Sequence, residues 1–244
     1  MIETNIELIR QAALLFLEMP IQVDKQFEFI CHHPFIRDTF TPVPCPKTDE
    51  NPVGMEMVDV RTEDGLEKAK KHFTNAIYKC KHPMDFFIVI NKPYSGVFFK
   101  VIKEFLSNED FTIMLEALWT TMEYPNTDVN VTQREWISYW QRANLDKYIY
   151  SDEDKKKLAE LPDTFLVYRG LMKDAKLQAL SWTLDPVKAI WFARRFSNTG
   201  KVYKALCHKK DVLAYLSGRN EEEIVVDWKK LKNIEEVSYV WNAK

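Results

Sequence analysis

Three short groups of residues in the last third of the chain combine side chains that can grip an anion with one that can hold a fixed negative charge. Tyr168-Arg169-Gly170 closes one strand-like run, Ser181-Trp182-Thr183 forms the next, and Glu221-Glu222-Glu223 leads directly into the apolar Ile224-Val225-Val226. A guanidinium is planar, stays charged and can hold two oxygens at once. A carboxylate at the mouth of an apolar strand is held rigidly, as a group must be if it is to stabilise positive charge developing on a substrate. Each group alone also has an ordinary explanation. Arg169 could serve an interstrand ion pair, Ser181 and Thr183 plain cross-strand pairing, and the acidic trio a charged strand edge that discourages aggregation. Their order on three strands, with a helix between the second and the third, makes the combination much more specific than its parts.

The elements that must position these groups are legible from pattern. From Pro162 onward the chain reads as short strands: Thr164 to Tyr168, Leu180 to Thr183, Val202 to Cys207, Val212 to Leu216, Glu223 to Val226, and a last one carrying Val237, Tyr239 and Trp241. One helix interrupts them. Asp185 can cap it and Pro186 can take its first position, after which Ala189, Phe192, Ala193 and Phe196 form a stripe.

The first 150 residues read mainly as helices. One spans Ile6 to Leu17 and breaks at Pro20; Pro42, Pro44, Pro46 and Pro52 mark an irregular crossing; Thr62-Glu63-Asp64 opens a second helix. Phe86 to Ile90 suits a buried strand ending in the turn Asn91 to Gly96, and further helices follow near Val97 to Leu106, Glu109 to Met122 and around Trp136, Tyr139 and Trp140. Helices followed by strands predict an α+β fold, with a mainly helical region over 1–155 packing on a strand-rich core over 156–244.

Composition sets the class. The 244 residues are 46% hydrophobic, carry 34 Lys and Arg against 36 Asp and Glu, and contain 6 Gly and 11 Pro, as an ordinary globular protein does. Collagen-like and disordered chains are excluded. No run approaches a membrane span, and MIETNIELIR is too acidic for a signal peptide, so the expected location is the cytoplasm. The cysteines Cys31, Cys45, Cys80 and Cys207 show no CxxC pair and read as free thiols. A zinc site from Cys31, His33 and Cys45 is conceivable, but paired ligand spacing is lacking and no metal is expected.

Charge is uneven. Residues 1–150 balance to −6 and residues 151–244 to +4, and the stretch Lys188 to Lys210 holds Lys188, Arg194, Arg195, Lys201, Lys204, Lys209 and Lys210 with no acid. Such a stretch would favour a polyanion, whether a dinucleotide or a nucleic acid; a solvated face is the other reading.

With these residues in hand, the chain resembles the ADP-ribosyltransferase clan, in the branch defined by an Arg, a Ser-x-Ser/Thr and a Glu-x-Glu motif. The block Ser181-Trp182-Thr183-Leu184-Asp185-Pro186 with Ala189, Trp191, Phe192 and Ala193 is similar to bacterial and phage versions. The resemblance covers about the last third of the chain. It implies a split antiparallel β-sandwich that binds NAD between two small sheets, cleaves its nicotinamide bond and transfers ADP-ribose.

In that reading Glu223 is the catalytic carboxylate. It faces a sugar that gains positive charge as the glycosidic bond breaks, a demand shared with glycoside hydrolysis. Arg169 would hold the pyrophosphate or neighbouring ribose, Gly170 would contact the nicotinamide amide, Ser181 would hydrogen-bond Glu223, Thr183 would support the strand and Phe192 would stack on the nicotinamide. Glu221 would position or deprotonate the acceptor, recognised by Leu216-Ser217-Gly218-Arg219-Asn220. Only 12 positions separate Arg169 from Ser181, which leaves no room for the helix that many toxin members place there. There is no GxGxxG, so NAD binding would not be of the Rossmann kind.

The resemblance thus implies a mono-ADP-ribosyltransferase acting on a macromolecule, protein or RNA, as a phage protein or as a defence-system toxin with an antitoxin partner. An NAD glycohydrolase is the alternative within enzymes. A non-catalytic interaction protein on the same scaffold is the alternative outside them.

Overall fold

The computed structural model describes residues 3–123, 125–173, 175–195, 199–218 and 221–238. Mixed helix and strand, with an antiparallel sheet in its second part, makes the fold α+β. The chain divides into two compact units, 1–123 and 124–244.

The first unit opens with α1 (Ile6–Leu17), capped by the Asn5 side chain, which accepts from the Leu8 amide, and buries Ile9, Ala12, Ala13 and Leu17. Two small ladders follow, β1 (Gln22–Val23) with β2 (Cys31–His32), and β3 (Phe40–Pro44) with β4 (Met55–Asp59). The β3–β4 hairpin stands where an irregular crossing is expected from the prolines. Pro42 and Pro44 fall opposite Met57 and Met55 at the same parity, so the donors they lack lie along one edge of a two-stranded ladder that can spare them. Thr41 and Val43, at the other parity, are buried.

Helix α2 (Glu63–Lys79) starts at Thr62, whose hydroxyl accepts from the Gly65 amide. Phe86 to Ile90 is not a strand: α3 (Asp85–Val89) occupies it. The Asp85 carboxylate accepts from the Lys81 and His82 amides, and the segment is amphipathic, with Phe86 buried and Ile88 83% exposed, a helical rather than a buried-strand pattern. Helices α4 (Ser95–Ile102) and α5 (Asn108–Thr121) complete the unit, α5 being capped by Ser107.

The second unit begins with α6 (Gln133–Arg142), α7 (Leu145–Tyr148) and α8 (Asp152–Glu160); α6 and α8 carry reciprocal capping boxes, Thr132 with Glu135 and Ser151 with Asp154. Then come β5 (Thr164–Leu171), β6 (Ser181–Thr183), α9 (Pro186–Arg194), β7 (Lys201–His208), β8 (Val212–Leu216), β9 (Glu223–Val226) and β10 (Lys232–Val237). The expected boundary at 155/156 falls inside this unit. Helices over 133–160 are tied to the sheet by hydrogen bonds from the Trp228 indole to Gln133 (3.2 Å) and from the Tyr215 amide to the Tyr150 hydroxyl (2.8 Å). Of the last expected strand, Val237 ends β10, while Tyr239 and Trp241 lie outside the described residues.

The six strands form one antiparallel sheet in the order β10-β7-β5-β6-β9-β8. β5 pairs with β7 along its whole length, Thr164 opposite His208 through Leu171 opposite Lys201, and β6 pairs with β9 throughout. Between them β5 and β6 meet only at Tyr168 and Thr183. Where two separate small sheets are expected there is therefore one sheet of two three-stranded halves joined at a single pair. One face buries Phe165, Val167, Trp182, Tyr215, Ile224 and Val226. Tyr168 and Gly170 alternate with the first two and face the other way, where α9 packs with Ala189 and Ala193.

Candidate active site

The single pair joining the two halves of the sheet gathers the three groups. Tyr168 on β5 lies opposite Thr183 on β6, and Thr183 lies opposite Glu223 on β9, so one line across three strands carries a residue of each motif or its neighbour. Arg169 follows Tyr168 directly. Its Nη1 donates to the carbonyl oxygen of Ser181, and its Nε is closed off from solvent with no protein partner. Burial pulls the guanidinium down to about 10, and the nearby Glu223 carboxylate opposes that fall. Arg169 is thus still a cation at neutral pH, and Glu223, 9% exposed, lies near it.

The acidic trio is held by its backbone as much as by its charges. Thr183 Oγ1 donates to the Glu221 carbonyl oxygen (2.5 Å) and accepts from the Asp185 amide (3.0 Å). The Leu184 amide donates to the Glu222 carbonyl oxygen (3.0 Å). Glu222 has φ 47°, a left-handed conformation that costs a residue with a Cβ about 1–2 kcal/mol, and its carboxylate is ion-paired with Lys157 of α8. That kink separates Glu221 from Glu223, which opens β9 opposite both Thr183 and Leu216.

The remaining expected residues fall as follows. Ser181 is half-buried and lies opposite Val225. Among the described residues it joins the site through its carbonyl oxygen, which accepts from Arg169. A Cβ on Gly170 would lie 1.8 Å from the Ala189 carbonyl oxygen and 2.7 Å from the Ala193 amide nitrogen, so α9 fills the space that the missing side chain leaves. Phe192 is half-buried on α9, edge-on to Trp191 at 5.0 Å and outside the Ala189–Ala193 face. Phe196, Arg219 and Asn220 lie outside the described residues.

Two contributors escape motif reading. Lys157 sits on α8, which the expected boundary at 155/156 cuts, and Glu222 looks like a spacer between two functional acids; only the ion pair and the positive φ mark them. Of the residues in the zinc alternative, His33 is held by backbone partners. His33 Nδ1 accepts from the Phe35 and Ile36 amides, Nε2 faces the Leu17 carbonyl oxygen, and burial pushes the imidazole below its ordinary value. Among the described residues no three His, Cys, Asp or Glu come together as a metal set, and no helix is long and apolar enough to cross a membrane.

Comparison with protein-family models, with curated proteins and with solved structures finds no match to this chain.

Proposed function

We propose that the chain is an NAD-dependent mono-ADP-ribosyltransferase that passes ADP-ribose to a macromolecular acceptor. The observation that carries this reading is the meeting of Arg169, the Ser181 carbonyl and Glu223 around the one pair that joins β5 to β6. A cation and an anion enclosed side by side, with one guanidinium nitrogen lacking a partner, are costly to bury and suit a ligand that is itself part anion and part sugar.

The residues fit such a dinucleotide. Bound NAD supplies a nicotinamide glycosidic bond, whose cleavage leaves the electron pair on nicotinamide and positive charge on the ribose. Glu223 stabilises that charge from a fixed position and accepts a hydrogen bond from a ribose hydroxyl. Arg169 supplies a fixed positive charge for the pyrophosphate or neighbouring ribose while its Nη1 holds the Ser181 carbonyl. Thr183, Leu184 and Lys157 hold the turn that carries Glu221 and Glu223. Glu221 takes the proton lost by the acceptor as its oxygen or nitrogen bonds to the sugar.

The test is incubation of the full chain with NAD labelled in its ADP-ribose portion and a cell extract, following nicotinamide release and labelled macromolecule. Both are expected, and Glu223→Gln should lower both by about 10²-fold or more, since it removes charge while keeping shape. Free ADP-ribose with no labelled macromolecule would point to the glycohydrolase. No loss of NAD with the unaltered chain would overturn the reading and favour a non-catalytic protein.

A further inference from the structure

The β3–β4 hairpin of the first unit has two unlike edges. The Cys45 amide donates to the Gly54 carbonyl oxygen and the Val60 amide to the Thr39 carbonyl oxygen, both at 2.9 Å, and these bonds fix which pairs face inward. In an antiparallel ladder such pairs alternate with pairs whose amides and carbonyls point away. Phe40, Pro42 and Pro44 therefore turn theirs outward on β3, and Met55, Met57 and Asp59 turn theirs outward on β4. On β3 two of the three positions are proline and have no N–H to offer. On β4 all three amides are intact. The Asn51 side chain already donates to the Met55 carbonyl oxygen, and the Thr62 amide to that of Asp59. Among the described residues this edge is left with the amides of Met55, Met57 and Asp59 and the carbonyl of Met57.

The side chains at these same positions share one face of the hairpin, and it is apolar and open. Phe40 is 50% exposed, Met57 62% and Met55 39%, with Pro42 and Pro44 exposed between them. The opposite face is buried, where Val43 and Val58 cluster with Ala69 of α2. Acid surrounds the hairpin. Residues 38–68 hold eight Asp and Glu against Lys47, Arg61 and Lys68, a balance of −5. Arg61 is taken by Asp59 and by the Phe40 ring, and Lys68 of α2 lies between Glu56 and Asp64. Asp38, Asp49, Glu50, Glu63 and Glu67 then stand against the single Lys47.

Open strand edges are a liability in folded proteins because they pair with other chains, and an edge kept open beside an apolar face suits a strand supplied by a partner. Its backbone would extend the ladder, and its side chains would fall alternately on the two faces. We infer that the outer edge of β4 binds an extended, basic peptide segment of a partner protein, with apolar side chains on the Met55–Met57 face and Lys or Arg on the α2 side, near Glu56 and Asp64. A second copy of this chain is the poorer occupant, since pairing β4 with itself sets two regions of the same −5 balance against each other. The inference concerns the first unit alone and is independent of NAD cleavage.

The experiment is fluorescence anisotropy of the full chain with three end-labelled octapeptides at low salt: alternating Lys-Val, alternating Glu-Val, and lysine alone. The Lys-Val peptide should bind, and the other two should bind about tenfold or more weakly, one carrying the wrong charge and the other lacking apolar side chains. Met57→Pro should weaken Lys-Val binding about tenfold or more. It removes an outward donor and leaves the bonds to β3 intact, as Pro42 opposite it already does. Met57→Ala, which keeps the amide, should weaken binding less, and circular dichroism should show both variants folded. Amide hydrogen exchange reads the same edge without any variant: Met55, Met57 and Asp59 should exchange readily in the free chain and be slowed about tenfold or more by saturating Lys-Val peptide. The inference is overturned by absence of Lys-Val binding, by equal binding of either other peptide, by unchanged affinity in folded Met57→Pro, or by no slowing at these three amides. A free chain that sediments as a dimer, broken by Met57→Pro, would overturn it in favour of a second copy.

Discussion

Polar burial is handled differently in the two units, and the contrast locates the chemistry. Among the described residues of the first, the buried polar side chains are His33, Thr39, Thr41, Ser95 and Thr112. Most answer to their own backbone neighbourhood: Thr112 donates to the Asn108 carbonyl, Thr41 to the Asp38 carbonyl, and His33 is held neutral among backbone partners. In the second unit Glu223 is buried beside a guanidinium whose Nε no protein atom satisfies. In the first unit Thr39 Oγ1 and the Nε of Arg10 are also enclosed without a partner, but among its described residues no carboxylate is buried. A buried carboxylate near a buried guanidinium costs folding free energy to enclose, and this is the difference on which the proposed site rests.

The sharpest way to break that contrast is to remove one charge. Arg169→Met should cost about 3 kcal/mol of stability, because it removes a buried guanidinium and leaves the Ser181 carbonyl without its donor, and Arg169→Lys should recover part of it. Urea unfolding measures both. A loss below about 1 kcal/mol in Arg169→Met would mean that the guanidinium is not buried in any energetic sense. Next in size, Gly170→Ala should cost about 1–3 kcal/mol, since its Cβ would collide with the Ala189 carbonyl; Gly218→Ala, with nothing within 4 Å, should stay within about 0.5 kcal/mol. Equal effects would show that α9 does not rest closely on β5.

Glu222→Gly separates the site from the scaffold more finely. It relieves a left-handed residue but removes the ion pair with Lys157, a partly exposed contact worth about 0–1 kcal/mol. Stability should hold or rise slightly while turnover falls, and Lys157→Met should lower turnover in the same way. Unchanged turnover in both would leave the ion pair with no part in positioning the acids.

The smallest effect belongs to the first unit. Burial lowers the His33 pKa from its ordinary 6.5, so the folded form is neutral, and the unfolded chain takes up a proton first as pH drops. The stability this contributes is complete above about 6.5 and is lost as pH falls from there toward the depressed folded value. The urea midpoint of the first unit should therefore fall between pH 7.5 and pH 5.5, and His33→Gln should flatten that slope.

Much of the strand-rich part is legible in the sequence because its signals are local. Alternation places all five strands from Thr164 to Val226 within a few residues, and Asp185 with Pro186 marks the start of α9, whose first free amide the Asp185 side chain does accept. Prolines misled at β3, where a two-stranded ladder has an edge to spare for them, and an apolar run misled at α3, where the Asp85 carboxylate draws in two backbone amides. The charge count over Lys188 to Lys210 was real, yet which of those cations meet Glu235 and Glu236 is decided by the pairing of β7 with a strand not adjacent to it in sequence.

Residue types, strand positions and the order of the three motifs were thus determined by the sequence alone, since caps and periodicity act over a few residues. That Arg169 spends a hydrogen bond on a carbonyl rather than a hydroxyl, that Gly170 is empty for a helix, and that Glu222 turns left-handed between two acids was decided only by the tertiary structure. Each depends on the register in which β6 lies between β5 and β9, and register is a property of strands brought together, which no single stretch of chain contains.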